Sequence, residues 1–258
     1  MMSETIQHFI EQQLSSARNL EPLRLLRHGY KVYSQTDEDG ILAEIFRRIG
    51  IYNRSFVEFG IENGLECNTL WLLMQGWNGQ WIEANGACCE AIRSSHGHWI
   101  RQNTLVVSQS MVTADNINGL IGQRYKGVID LLSIDIDYND YHVWKSIEII
   151  APRVVCIEYN AIWRPPVSIT VPYDPGRSWA GDNYYGASLA ALTKLGRQKG
   201  YRLVGCGLAG VNAFFVKEEL CADLFVPSGD AADHYEPARY FLAQSQGHRP
   251  AVGPVVQI

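Results

Sequence analysis

The sequence predicts a doubly wound, Rossmann-like α/β domain: a mostly parallel seven-stranded sheet with a C-terminal antiparallel β-hairpin. Three observations carry this expectation. Apolar runs of strand length alternate with helical patterns along the chain. The fourth run, GVIDLLSIDID (127–137), is apolar almost to its end, as in a strand covered on both faces. The last two, YRLVGCGLAG and VNAFFVKEE, are only a short turn apart. That leaves no room for a crossover helix and makes them antiparallel.

Taken in order, a first helix is expected over roughly 3–18, with Ile6, Phe9, Ile10 and Leu14 on one face. In YSQTDEDGILAEIFRRIG, Asp37 or Thr36 caps a helix that turns Ile41, Leu42, Ile45, Phe46 and Ile49 inward and stops at Gly50. Strands follow at 55–60, 79–84, 104–110, 127–137 and 152–160, with a helix at about 66–75. A long irregular stretch then precedes a helix beginning near Ala187. Loops of that length inside a domain are usually lids or binding loops.

No repeat, low-complexity tract or Pro/Gly/Ser linker divides the 258 residues, so one domain is expected. It would comprise an N-terminal helical segment (1–50), a core (51–217), a candidate substrate lid (160–186) and a C-terminal tail (218–258). The composition, 47% apolar and 19% charged, is that of a globular protein. A net charge of -5 without blocks of like charge argues against nucleic-acid or anionic-membrane partners. No apolar run reaches the roughly 18 residues of a membrane span, and the acidic, amphipathic N-terminus is no signal peptide. The six cysteines (67, 88, 89, 156, 206, 221) form no CxxC pair, and Cys156 and Cys206 fall in apparent buried strands. Reduced thiols and a cytoplasmic location follow as expectations.

The segment FVEFGIENG (56–64) is the first with chemistry. Gly60 and Gly64 let the backbone approach a ligand and turn tightly after a first strand, and the ligand would lie at the strands' carboxyl ends. Glu58 would repel a pyrophosphate but can accept a hydrogen bond from a cationic amino group. Glu83, ending the second strand in QWIEAN, can take both hydroxyls of a ribose. The bland alternative is a pair of turn glycines and two solvated acids.

These segments, with LLSIDID and IEYNA, resemble class I S-adenosylmethionine-dependent methyltransferases, most closely the FkbM-type and related bacterial enzymes often associated with saccharides and natural products. The likeness covers roughly residues 30–217 and rests on the order of the motifs. It implies the class I plan of five βα units and a terminal hairpin. It also implies that Glu58, Gly60, Gly64, Glu83 and Asp135 hold the cofactor, and that YSQTDEDG (33–40) lies over it. Asp115, after the third strand, would contact the adenine unless it merely caps a turn. Such enzymes usually carry a glycine where this chain has Glu62.

At the ends of strands four and five, Asp135, Asp137 and Asp140 crowd IDIDYND, while Glu158 and Asn160 end IEYN. A hard divalent cation such as Mg2+ takes several oxygens of this kind. The pattern is similar to metal-dependent O-methyltransferases, which implies Asp135, Glu158 and Asn160 as ligands. A catechol-type enzyme has a lysine base where this chain has Tyr138, leaving Asp140 and His142 as substitutes. Imidazole titrates near neutral pH and suits a general base. Alternatively Asp135 holds the methionine moiety or a substrate hydroxyl, Asp140 caps a helix, and His142 only packs. His96 and His98 read as solvated. Trp163, Tyr173, Asp174, Trp179, Asp182, Tyr184 and Tyr185 in the long loop suit stacking on a sugar face or ring, or pin the loop.

The function expected is methyl transfer from S-adenosylmethionine to a hydroxyl of a small or saccharide-like acceptor, aided by Asp135, Asp140 or His142, or by a divalent cation. The rivals are an inactive methyltransferase-like binding module, an N-methyltransferase, and a nucleotide-dependent oxidoreductase. The last is disfavoured by Glu58, Glu62 and the terminal hairpin.

Overall fold

In the computed structural model, which describes residues 4–243 and 247–258, the elements begin with α1 (Glu4–Leu14), α2 (Glu38–Ile49), β1 (Ser55–Phe59), α3 (Leu70–Met74) and β2 (Asn78–Glu83). There follow α4 (Gly86–Ser95), α5 (Gly97–Arg101), β3 (Leu105–Gln109), α6 (Ile117–Ile121), β4 (Gly127–Ile134), α7 (Asp140–Ser146) and β5 (Ile150–Glu158). The chain closes with β6 (Ile169–Thr170), α8 (Leu189–Gln198), β7 (Tyr201–Cys206), β8 (Asn212–Lys217), α9 (Glu218–Cys221), α10 (Ala231–His234) and β9 (Val256–Gln257).

Seven strands form one sheet in the order β3-β2-β1-β4-β5-β8-β7, the first five parallel and β8 antiparallel to both its neighbours. This is the Rossmann-like methyltransferase plan, hairpin included. The order reverses between β1 and β4, and the crevice above that point is where open α/β sheets bind ligands. The strands are central because both their faces are apolar. Val57, Phe59, Leu132 and Val155 join a core with Trp144 and Leu192, while Phe56, Leu131 and Val154 face Ile41, Ile45 and Trp77 on the other side.

Several expectations change. Of the helix expected over 3–18, residue 3 lies outside the described residues and the helix ends at Leu14. Asp37 occupies the N-cap of α2, but neither it nor Thr36 makes a side-chain cap bond. The Asp37 carboxylate instead accepts from Leu208 N at 2.9 Å, tying α2 to the β7–β8 turn. The helix expected at 66–75 shrinks to Leu70–Met74, because Asn68 N and Thr69 N turn to the Glu58 carboxylate. Strand four stops at Ile134, where Asp135–Asp137 leave the sheet and Asp137 adopts φ 65. α8 begins at Leu189, with the Ser188 hydroxyl accepting from Ala191 N.

His96 is buried, not solvated: its Nε2 donates to Gly64 O at 3.1 Å and its ring packs beside Trp81 and Trp99. His98 is exposed. All six cysteines are free, Cys156 and Cys206 buried. Among the described residues no helix is long and apolar enough to cross a membrane.

Candidate functional site

A cavity of about 430 Å³ opens above the carboxyl ends of β1, β2, β4 and β5, within the usual range for small-molecule sites. Its floor depends on Gly60. With φ 78, Gly60 lies so close to β4 that a Cβ would sit 1.3 Å from Asp135 O. Only a residue without a side chain lets the two strand ends meet. Gly64, at φ 71, abuts Trp81 and Ile92 and turns the loop under the cavity. Glu62 has φ 48, a left-handed conformation that glycine adopts freely. The departure at this position therefore keeps the turn at some backbone cost and adds a carboxylate to the lining.

The two acids of the floor are held by backbone donors. Glu58 is buried; one oxygen accepts from Asn68 N at 2.9 Å, the other from Thr69 N at 3.1 Å and from the Thr69 hydroxyl. Burial pushes its carboxyl above the usual range, and these hydrogen bonds oppose the shift. Glu83 accepts from Glu62 N at 2.9 Å and Asn85 N at 2.7 Å. Both side chains line the cavity. Their bonds also fix the loops after β1 and β2, so each acid shapes the site as well as facing it.

A second set of acids lies at the ends of β4 and β5. Asp135, Asp137 and Glu158 each place a carboxylate oxygen within 4.8 Å of the others. One oxygen of Glu158 is buried with no hydrogen-bond partner. Burial, then repulsion from Asp137 and Asp140, holds the Asp135 carboxyl well above the carboxylate range; burial and Asp135 do the same to Glu158. Asp137, at the rim, is pushed up to about 6, first by lost hydration and then by Glu62 and Glu83. Three acids crowded without a cation are unfavourable unless protonated or bound to positive charge. Oxygen donors at this spacing, one of them orphaned, fit a hard divalent cation.

Seven acids line the cavity, and among the described lining residues Arg177 is the only lysine or arginine. The far wall comes from the long loop and the C-terminal tail. Trp179 and Tyr185 face inward with Tyr240 and His248, and the Tyr240 and His248 rings stack at 4.4 Å. The other loop aromatics pin it. Trp163 packs with Tyr138 and Tyr184, the Tyr173 hydroxyl accepts from Ala114 N at 3.1 Å, and Tyr184 donates to Pro254 O. Asp174 and Asp182 accept from Gly176 N and Tyr184 N within the loop itself.

Five residues expected at the site do not line the cavity: Gly64, which only turns the loop after β1, and four others placed elsewhere. Asn160 is consumed by the loop: its amide donates to Asn183 O and Tyr185 O, both at 3.0 Å, and its oxygen accepts from Ile162 N. Asp137 takes the place expected for it beside Asp135 and Glu158. His142 donates from Nε2 to Val171 O at 2.8 Å and does not line the cavity. Asp140 also lies outside the lining; one oxygen accepts from Ile136 N at 2.9 Å, and burial pushes its carboxyl up to about 7. Asp115 is exposed, and the loop after β3 reaches the cavity through Ser110, Met111 and Val112 instead.

Sequence reasoning missed Gln35, Asn212, Arg177, Tyr240 and His248 as lining residues. For Gln35 the only signal was its place in the polar patch at 33–40, which Asp37 and Glu38 anchor to Leu208 and Asn212. Tyr240 and His248 come from a tail with no pattern to mark it.

A scan against protein-family models finds no match, and neither does a search of curated proteins. Among solved structures the chain is similar to a Staphylococcus aureus protein provisionally assigned as a caffeoyl-CoA O-methyltransferase, at 14% identity and a TM-score of 0.48, over 83% of this chain and 98% of that one. It is also similar to an O-methyltransferase from Bacillus cereus in complex with SAH, at 15% identity and a TM-score of 0.41, over 83% and 90%. A third likeness is to a Galdieria sulphuraria protein provisionally assigned as a sarcosine dimethylglycine methyltransferase, at 12% identity and a TM-score of 0.43. That match covers 63% of this chain and 60% of the other, less than two thirds of its length. At such identities the likeness concerns fold alone, and the fold described above rests on the strand order.

Proposed function

We propose that the protein is an S-adenosylmethionine-dependent methyltransferase that acts on a hydroxyl of a small or saccharide-like acceptor with the help of a divalent cation. The observation that carries this is the pairing of two acid sets at the sheet's switch point: Glu58 and Glu83 on β1 and β2, and Asp135, Asp137 and Glu158 beyond β4 and β5. The seven-acid lining favours a cationic cofactor over a pyrophosphate-bearing one, which sets the oxidoreductase alternative aside. Glu83 would accept from the ribose hydroxyls and Glu58 would face the amino group. S-adenosylmethionine supplies an electrophilic methyl group when bound, and Mg2+ a lower pKa for an acceptor hydroxyl. The chain's own part is to position the acceptor, exclude water beneath the 160–186 loop, and keep three carboxylates ready for the cation.

An amine acceptor is the second reading, because the same three acids would hold an ammonium group as well as a metal. Retention of both acid sets supports an enzyme over a binding module. The small acidic cavity supports a small-molecule partner, not nucleic acid.

Calorimetric titration with S-adenosylhomocysteine, then Mg2+, tests the proposal. Micromolar binding weakened by roughly 1–3 kcal/mol in Glu83→Ala, followed by a Mg2+ heat absent from Asp135→Ala, is the expected outcome. Binding of neither would overturn it; cofactor binding without a metal response would favour the amine reading.

A further inference from the structure

The far wall of the cavity differs from the floor in chemistry as well as origin. The Arg177 guanidinium carbon lies 4.8 Å from the ring centroid of Tyr138 and 5.3 Å from that of Tyr184. Both rings are buried; they set the direction of a side chain that is itself exposed, and they leave its N–H groups open to a ligand. Among the described residues Arg177 forms no ion pair, although seven acids share its cavity. A cation whose role was to neutralise the acidic floor would be expected to pair with it. Arg177 instead stands exposed on the opposite wall, a fork of donors with no protein acceptor among the described residues. Beside it in the lining stand the flat faces of Trp179 and of the stacked Tyr240–His248 pair, and His248 Nδ1 is buried without a partner.

From this juxtaposition we infer that Arg177 anchors an anionic group on the acceptor, a hydroxylated ring bearing a carboxylate, with the ring lying against the aromatic wall. The inference rests on the methyltransferase reading and narrows its acceptor. The floor repels an anion everywhere else, so one positive point on one wall fixes orientation: the carboxylate sits at Arg177 and the hydroxyl end turns toward Asp135 and Glu158. A neutral acceptor of the same shape lacks that constraint.

The test uses the full chain saturated with S-adenosylhomocysteine and four calorimetric probes. Two are acids, 4-hydroxybenzoate and D-glucuronate; two are their neutral counterparts, 4-hydroxybenzyl alcohol and D-glucose. At least one acid should bind about tenfold or more tightly than its neutral counterpart, and which acid does so distinguishes an aromatic acceptor from a saccharide one. Arg177→Gln should remove the preference and Arg177→Lys retain part of it, with the affinity for S-adenosylhomocysteine unchanged in both. Equal affinity for acid and neutral probes, binding of neither acid, or a preference that survives Arg177→Gln would overturn the inference. Loss of S-adenosylhomocysteine binding in the parent protein would instead overturn the methyltransferase reading.

Discussion

The acids of β1 and β2 and those beyond β4 and β5 occupy equivalent places at the ends of parallel strands, yet they are treated oppositely. Glu58 and Glu83 are met by backbone N–H groups of the loops that follow them. Asp135, Asp137 and Glu158 face one another, with an oxygen of Glu158 left bare. The first pair satisfies backbone donors that would otherwise be orphaned, and in Glu58 these bonds offset part of the burial that holds its carboxyl above the usual range. The trio opposes folding until something positive arrives. The same residue type thus builds the site in one half and waits for a ligand in the other.

Breaking the seam between the halves should have the largest effect. Gly60→Ala places a methyl group on Asp135 O, so the two strand ends must part. A loss of about 4 kcal/mol or more is expected in urea unfolding; a variant of parental stability would show that the approach is not needed. Outside the site, His234 is an ionisable group whose shift is led by burial, with Arg24 and Arg18 lowering it further and the Ser228 carbonyl and Asp233 opposing. Its Nε2 donates to Ser228 O at 2.7 Å, and burial pushes its pKa from 6.5 down to about 4. The unfolded chain takes up the proton first. This contribution is therefore complete above pH 6.5 and is lost as pH falls toward 4, by up to about 3 kcal/mol; His234→Gln should flatten that part of the stability profile.

Glu58→Gln puts an amide where two backbone donors point, at a cost of roughly 1–3 kcal/mol by thermal or urea unfolding. Glu158→Gln sharpens the contrast, since it should do the reverse in metal-free protein. Removing one of three mutually repelling carboxylates should raise stability by about 1 kcal/mol, the worth of one pK unit. If the two substitutions shifted stability in the same direction, the distinction between the acid sets would be lost.

The sheet was legible in the sequence because its strands are set by local apolar patterning, and the hairpin by the shortness of one turn. The floor of the site was legible for a related reason: Glu58, Gly60, Glu83, Asp135 and Glu158 are tied to strand ends, and the sheet carries strand ends to a common edge. Positions just beyond those ends were not. Asn160 and Asp137 are each two residues past Glu158 and Asp135, and only backbone conformation decides which of them turns inward. Asp137 does so through a left-handed φ, while Asn160 is captured by the loop. Nothing local distinguishes the two. His142 and Asp115 had the right chemistry but the wrong direction, and Arg177, Tyr240 and His248 reach the cavity through long-range packing that has no period to read.

The far wall has an architecture of its own. β9 pairs with β6 through Ile169 with Gln257 and Thr170 with Val256. Asn183 N donates to Arg249 O at 2.9 Å, and Ala251 N to the Asn183 side chain at 2.7 Å. Loop and tail are thereby laced to each other, and Asn160 just beyond β5 ties them to the sheet that carries the floor. Such a seam gives natural variation a place to act: on the proposed function, exchanges within the laced unit would change the acceptor's wall while the acids of the floor stay in place.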